Sequence, residues 1–208
     1  MSSLLLPLFP LELVLFPGQH LPLHIFEQRY KEMIGECLEQ HTEFGVVLSK
    51  ENSIVNIGCT SVVTDVAKRY DDGRLDIHTE GRRRFEVLFL DQERAFLRGA
   101  VQFFDDDSEE APAELRGKAI ALHHEVIDLL VSDEAERGNL RVSPEAPRLS
   151  FPMIGPLPVD VDFKQVLLAM RNEAERLDRL VDYFGQLIVR LRLVAQVKQR
   201  AGKNGHGR

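Results

Sequence analysis

The sequence predicts an α+β protein, with a β-rich N-terminal half closing into a small barrel and a helical C-terminal part. Three observations carry this. Residues 1–104 are dominated by short segments rich in apolar and β-branched residues, several of them alternating with polar ones, bounded by Pro, Gly and Asp turns. The run Asp105-Asp106-Asp107-Ser108-Glu109-Glu110-Ala111-Pro112 is too charged to pack and marks a boundary. Beyond it, apolar residues recur at steps of three and four, the helical period. The division that follows is 1–104 β-rich, 105–112 an acidic linker, 113–200 helical and 201–208 a disordered tail.

Leu11-Glu12-Leu13-Val14-Leu15-Phe16 reads as a strand ending at the Pro17-Gly18 turn. His20 to Ile25 alternates again, with Pro22 pointing to an edge or irregular strand. A helix is expected from Glu27 to about Gln40, with Tyr30, Met33, Ile34, Cys37 and Leu38 on one face. Phe44 to Leu48 is a short buried strand. Thr60 to Tyr70 and Arg74 to Thr79 form a hairpin around Asp71-Asp72-Gly73. Gly81 punctuates, and Phe85–Leu90 and Phe96–Phe104 add two strands. Several short antiparallel strands with one helix suggest a partly closed barrel.

After the linker, Ala113 to about Val131 is helical, with Ile120, Ile127, Leu130 and Val131 on one side. Ser132 to Pro147 reads as polar loop, 148–154 as a short helix disturbed by Pro152, and Phe163 to Met170 as another. Asn172 is an N-cap with Glu175 three residues on, opening a last helix. Its stripe runs Leu177, Leu180, Val181, Phe184, Leu187, Ile188, Leu191, Val194 and Ala195, and must be covered by something.

Three stretches in register resemble the N-terminal, substrate-binding domain family of Lon proteases. The first is Leu6-Pro7-Leu8-Phe9-Pro10-Leu11 with Val14-Leu15-Phe16-Pro17-Gly18 and Leu21-Pro22-Leu23-His24-Ile25-Phe26-Glu27-Gln28-Arg29-Tyr30. The second joins Ile57-Gly58-Cys59-Thr60 through the hairpin to Thr79-Glu80-Gly81-Arg82-Arg83-Arg84-Phe85. The third is Leu149-Ser150-Phe151, Leu157-Pro158-Val159-Asp160, Lys164-Gln165-Val166-Leu167-Leu168 and Asn172-Glu173-Ala174-Glu175-Arg176-Leu177. The resemblance implies a PUA-like pseudo-barrel followed by a helical bundle, and a role in capturing polypeptide. In full-length Lon proteases ATPase and Ser-Lys protease domains follow this region. Here the sequence ends at Arg208 and holds no GxxxxGK[ST] loop to cradle phosphates. The expectation is a non-catalytic module with no catalytic, cofactor-binding or metal-ligating residues. Its partner is expected to be unfolded or extended polypeptide, or a folded protein.

Net charge is -7 with a pI near 5.5, which argues against general binding of nucleic acid. No stretch reaches the ~20 apolar residues of a membrane span. The apolar N-terminus lacks a basic flank and is broken by prolines, so it does not read as a signal peptide. Cys37 and Cys59 show no paired spacing and read as free thiols in a reducing cytoplasm.

Few residues stand in a pattern that catalysis or ligand binding requires. His123-His124-Glu125 with Asp128 is the densest set of metal-type donors, but two ligands one turn apart are not a site, and a solvated helix face explains them. His20 and His24 share a strand face without an HExxH pattern and read as surface or packing residues. Ser49, Ser61 and Ser150 lack nucleophile context, and Cys37 sits on an apolar stripe. Arg82-Arg83-Arg84 suggests phosphate or RNA contact in a PUA-like fold; the plainer reading is solvent-facing arginines paired with Glu80, Glu86 or Asp76. From Arg190 to Arg208 there is no acidic residue, consistent with favourable charge at a helix C-terminus. Leu4–Phe9, Phe16 and Phe103–Phe104 are the apolar residues expected to contribute an exposed binding surface. An RNA-binding module and a metal-dependent enzyme using His123, His124, Glu125 and Asp128 stand as the alternatives.

Overall fold

The computed structural model describes residues 5–51 and 53–204, with side chains through Val197. The chain divides into two compact units, Met1–Asp106 with Pro158–Arg171, and Asp107–Leu157 with Asn172–Arg208. Strand and helix content match the α+β expectation, with six strands preceding the main helices.

In the first unit, β1 (Leu6–Leu11), β2 (His20–Ile25), β3 (Phe44–Lys50), β4 (Ser53–Arg69), β5 (Leu75–Asp91) and β6 (Arg98–Phe103) form one sheet of order β2-β5-β4-β3-β1-β6. β5 also pairs with β6, so five strands close into a ring and β2 is appended along the first half of β5. Full closure removes edges from those five strands. β1 pairs parallel with β3 and antiparallel with β6; the other pairings are antiparallel.

The first strand therefore lies at Leu6–Leu11, not at the expected Leu11–Phe16. Pro7 and Pro10 made Leu6–Leu11 look irregular. The strand tolerates them because β6 pairs only with Leu6 and Pro7, and β3 only with Leu8 to Leu11. Val14, Leu15 and Phe16 are buried in irregular backbone instead.

The segments expected as separate strands at 74–79 and 85–90 are one 17-residue strand. β-bulges between Cys59 and Ser61, Val63 and Asp65, and Val66 and Lys68 bend the β4–β5 pair. Gly81 sits at the bend, where any Cβ would collide with the Phe16 backbone. The barrel core is built on Leu8, Val47, Phe85 and Val87, with Leu6, Ile54, Leu90, Leu97 and Val101 packed against it. Gly58 makes room for Phe85, since a Cβ there would lie 2.6 Å from the ring's Cζ.

α1 (Gln28–Gln40) buries Tyr30, Met33, Ile34 and Cys37, the face that the sequence marks. α5 (Val161–Ala169), expected within the helical part, is grouped with the sheet. Asp160 caps α5 by accepting from the Phe163 N–H, and Gln165 donates to the Ile57 carbonyl at 2.9 Å.

The second unit holds α2 (Ala113–Leu130), α3 (Glu134–Leu140), α4 (Ser150–Ile154) and α6 (Glu173–Asn204). α2 buries Ala119, His123, Val126 and Ile127 rather than the expected Ile120, Leu130 and Val131. The true stripe keeps helical spacing but uses a histidine, which a hydrophobicity count treats as polar. Leu130 is exposed and Val131 follows the helix as its cap.

α3 lies inside the segment read as loop. It buries no residue and so has no periodicity to detect, although Asp133 caps it by accepting from the Glu136 N–H. The cap of α6 is as expected, with Asn172 accepting from the Glu175 N–H at 3.1 Å. Leu177, Leu180 and Phe184 are fully buried. The helix continues to Asn204, and residues 205–208 lie outside the described residues.

Candidate functional site

The outer wall of the barrel carries large apolar side chains in the open. Leu88 and Phe89 are 62% and 63% exposed. Their exposure has a local cause. β5 and β6 pair as Val87 with Val101 and then Phe89 with Ala100, so Leu88 is an extra residue with no partner opposite. A bulge breaks the alternation that would otherwise send one of two successive residues inward. Phe85 and Val87, just before it, are core. Phe103, 41% exposed, is a separate feature: it pairs opposite Phe85, on the face that Phe85 turns to the core, at the end of β6 and three residues or ~10 Å from Leu88 along the strand. Arg83 stacks its guanidinium 3.9 Å from the Phe103 ring centroid.

A second cluster surrounds the β4–β5 hairpin. Asp76 meets His24 Nδ1 at 2.5 Å and accepts from the Tyr70 hydroxyl at 2.8 Å. Those two hydrogen bonds, His24 first, hold its carboxyl below the usual carboxylate range. His24 stacks on Phe26 with centroids 5.9 Å apart, and Lys68 and Arg74 lie 4.4 and 4.7 Å from the Tyr70 ring centroid. Phe26 is 60% exposed.

The sequence pointed elsewhere for apolar surface. Leu8, Phe9 and Phe16 are buried, Leu5 to Pro7 half-buried, and Leu4 lies outside the described residues. The N-terminal run is core because β1 is flanked by β3 and β6 and closes the barrel. Of the expected pair at the end of β6, Phe103 is exposed and Phe104 half-buried. Leu88 and Phe89 were missed, though Val87-Leu88-Phe89-Leu90 cannot all point inward from a regular strand, which was the available signal.

The arginine run is also split. One residue, Thr60, opposes both Arg82 and Arg83, and both point out: Arg82 pairs with Glu80 at 3.3 Å and Arg83 with Glu43 at 3.8 Å. Arg84 is not solvent-facing as expected. It is 3% exposed and pairs with Asp106. The run therefore makes no continuous basic patch.

His123 is fully buried against Phe184, 5.8 Å between centroids, and neither ring nitrogen makes a well-formed hydrogen bond, the Met153 backbone being the polar group that acts on the ring. Burial pulls its pKa down to about 4, with His124 adding to the shift and the Met153 backbone opposing it. Asp128 pairs with Arg141 at 2.8 Å and Glu125 with Arg192 at 2.7 Å. The four donors therefore do not converge, and the described residues hold no group of three His, Cys, Asp or Glu side chains placed for a metal.

Burial pushes the Cys59 thiol up to about 12 and raises that of Cys37. Neither has the lowered pKa of a nucleophile. Ser150 is buried and bonded to Glu173. Ser49 lines a shallow groove with Glu12, Lys50, Glu51 and Ser53, and no His or Cys borders it. No described helix is long and apolar enough to cross a membrane.

A family model for the ATP-dependent protease La (LON) substrate-binding domain matches residues 5–184. The Lon protease of Paraburkholderia phytofirmans is 26% identical over 207 residues, covering 94% of this chain and 25% of that protein. That of Parabacteroides distasonis is 28% identical over 109 residues, 49% of this chain and 13% of the relative. The chain thus spans a quarter or less of the length of these relatives. Among solved structures, the Lon N-terminal domain protein from Xanthomonas campestris superposes with a TM-score of 0.67 at 26% identity, covering 86% of this chain and 98% of the other. The N-terminal domain of the Mycobacterium avium complex Lon protease gives 0.58 at 17% identity, over 87% and 98%, a likeness of fold.

Proposed function

The chain belongs to the family of ATP-dependent protease La (LON) substrate-binding domains, and from that premise we propose that it is a non-catalytic, cytoplasmic module that binds unfolded or extended polypeptide on the outer wall of its barrel. The observation that carries the reading is the pair Leu88 and Phe89, turned out together by the β5 bulge. Contiguous exposed apolar surface on a protein mostly marks an interaction site. Apolar contacts suit clients that share no sequence, because the driving force is non-directional.

The state of the candidate nucleophiles supports the non-catalytic part of this reading. Burial raises the pKa of both thiols, away from the range of a nucleophile, and His123 is buried against Phe184. RNA binding is less well supported. Arg84 is consumed inside the protein, Arg82 and Arg83 are paired, and the net charge is -7.

Fluorescence anisotropy tests the reading. Fluorescein-labelled β-casein, an unfolded polypeptide, should bind the full chain, and a Leu88→Ser/Phe89→Ser variant should bind it at least ~10-fold more weakly. Salt-sensitive binding of labelled single-stranded RNA, with none of casein, would replace this function by the RNA one.

A further inference from the structure

A separate apolar surface lies on α6, in the other unit. Leu177, Leu180, Phe184, Leu187, Leu191 and Val194 follow one another at alternating steps of three and four. The first three are fully buried, Leu187 and Leu191 are half-buried, and Val194 is 51% exposed. The seam by which the helix packs in its own unit thus runs on past its cover. Around Val194 it widens. Arg190, Leu193, Val194 and Val197 share one face at the i, i+3, i+4, i+7 spacing, with Leu193 60% and Val197 58% exposed. Val189 beside them is 67% exposed.

The charge of this stretch is one-sided. From Tyr183 to Arg208 the sequence has six Lys and Arg residues and no Asp or Glu, in a chain whose net charge is -7.

We propose that the Val189–Val197 part of α6 is a docking arm for an acidic amphipathic helix of a partner protein. The seam dictates the partner's shape. Its first turns already pack against α2, and ridges at this spacing accept the ridges of another helix. Arg192 already faces Glu125 of α2, but Arg190 and the four Lys and Arg residues that follow Val197 in the sequence leave the stretch cationic and favour an acidic partner, since complementary potentials favour one partner and repel others. A second copy of the arm would set like charges side by side. A lipid surface is met by helices bearing Trp, Phe and Leu, and no aromatic residue follows Phe184. RNA would likewise need rings to stack on. The inference concerns a different unit from the barrel wall and stands apart from casein binding.

The probe is a fluorescein-labelled peptide of about three heptads, with Ile and Leu at a and d and Glu elsewhere. Its counterpart carries Lys in place of Glu. The acidic peptide should bind the full chain, and about 10-fold more weakly at high salt. The Lys peptide should not bind. A Leu193→Ser/Val197→Ser variant should melt like wild type, because both side chains are exposed, yet lose at least ~10-fold in affinity for the acidic peptide. Its casein binding should stay unchanged. Four results would each overturn the assignment: no binding of the acidic peptide, equal binding by the variant, tighter binding to phosphatidylserine vesicles or single-stranded RNA, or a dimer in sedimentation velocity that Leu193→Ser dissolves.

Discussion

Arg84 and Asp106 form an ion pair almost sealed from water, with 2% and 5% of their side chains exposed. The pair is not left with unmet polar groups. Arg84 also donates to the carbonyls of Leu168 at 3.0 Å and Met170 at 2.5 Å, and its guanidinium lies 4.7 Å from the Phe104 ring centroid. One arginine thus fastens β5 to the ends of both segments that make up the first unit. Arg84→Met should cost about 3–5 kcal/mol, because it strands the Asp106 charge and frees two buried carbonyls. Urea denaturation measures this, and a variant within error of wild type would remove the pair from the account of stability.

The second unit has a comparable knot. Glu173 accepts from the N–H groups of Leu149 and Ser150 at 2.7 and 3.0 Å, from the Ser150 hydroxyl at 2.6 Å and from Arg176 at 2.6 Å. The Ser150 hydroxyl in turn accepts from Arg176 Nε at 2.8 Å. Ser150→Ala should destabilise by about 1–3 kcal/mol through these buried partners. Glu173→Ala should cost more, because Arg176 is fully buried and would lose its counter-charge. The order of the two melting temperatures checks the argument.

Much of the fold is legible in the sequence, and most of the rest, the buried histidine of α2 and the unburied α3 apart, shares one cause. Helix α1 and the seam of α6 were readable because each buries one regular face. The Asn172 cap was readable because its chemistry is local. Features set by a bulge or by distant pairing were not. Leu88 and Phe89 are exposed because β6 skips a partner, Arg84 is buried because Asp106 reaches it, and α5 belongs with strands more than a hundred residues earlier. No window of sequence contains those relations.

His123 makes the helical unit sensitive to acid. Its folded pKa, about 4, lies below the ordinary 6.5. Between those values the unfolded chain binds the extra proton and the folded one does not. Stability contributed by the neutral ring is therefore complete above pH 6.5 and lost as pH falls toward 4, by about 3 kcal/mol in all. His123→Leu should flatten this part of the profile. Urea midpoints measured from pH 8 to pH 4 would show the difference, and parallel curves for the two proteins would refute it.

The seam of α6 gives a sharper test of packing. Leu180 is fully buried, so Leu180→Asp would place a charge where it has no designed partner, at a cost of several kcal/mol. Val189→Asp, on an exposed position of the same helix, should change stability by no more than about 0.5 kcal/mol. Thermal melts that fail to separate the two would mean that the buried seam does not hold the helix.

Salt distinguishes how the barrel wall binds. If Leu88 and Phe89 supply the contact, affinity for labelled β-casein should change by less than about threefold between low and high salt, since the force is apolar. A cationic surface would instead lose affinity steeply, by orders of magnitude if several phosphates or carboxylates were engaged. The contrast is strong because Arg98, opposite Asp91 and two residues along from Phe89, is paired with that aspartate, and Arg83 stacks on Phe103 and faces Glu43, so little free charge remains near the bulge. Casein recovered after long incubation with the protein and ATP should be intact on a gel, as binding without turnover requires. Fragments above those in a mock preparation would show that the module cuts what it holds.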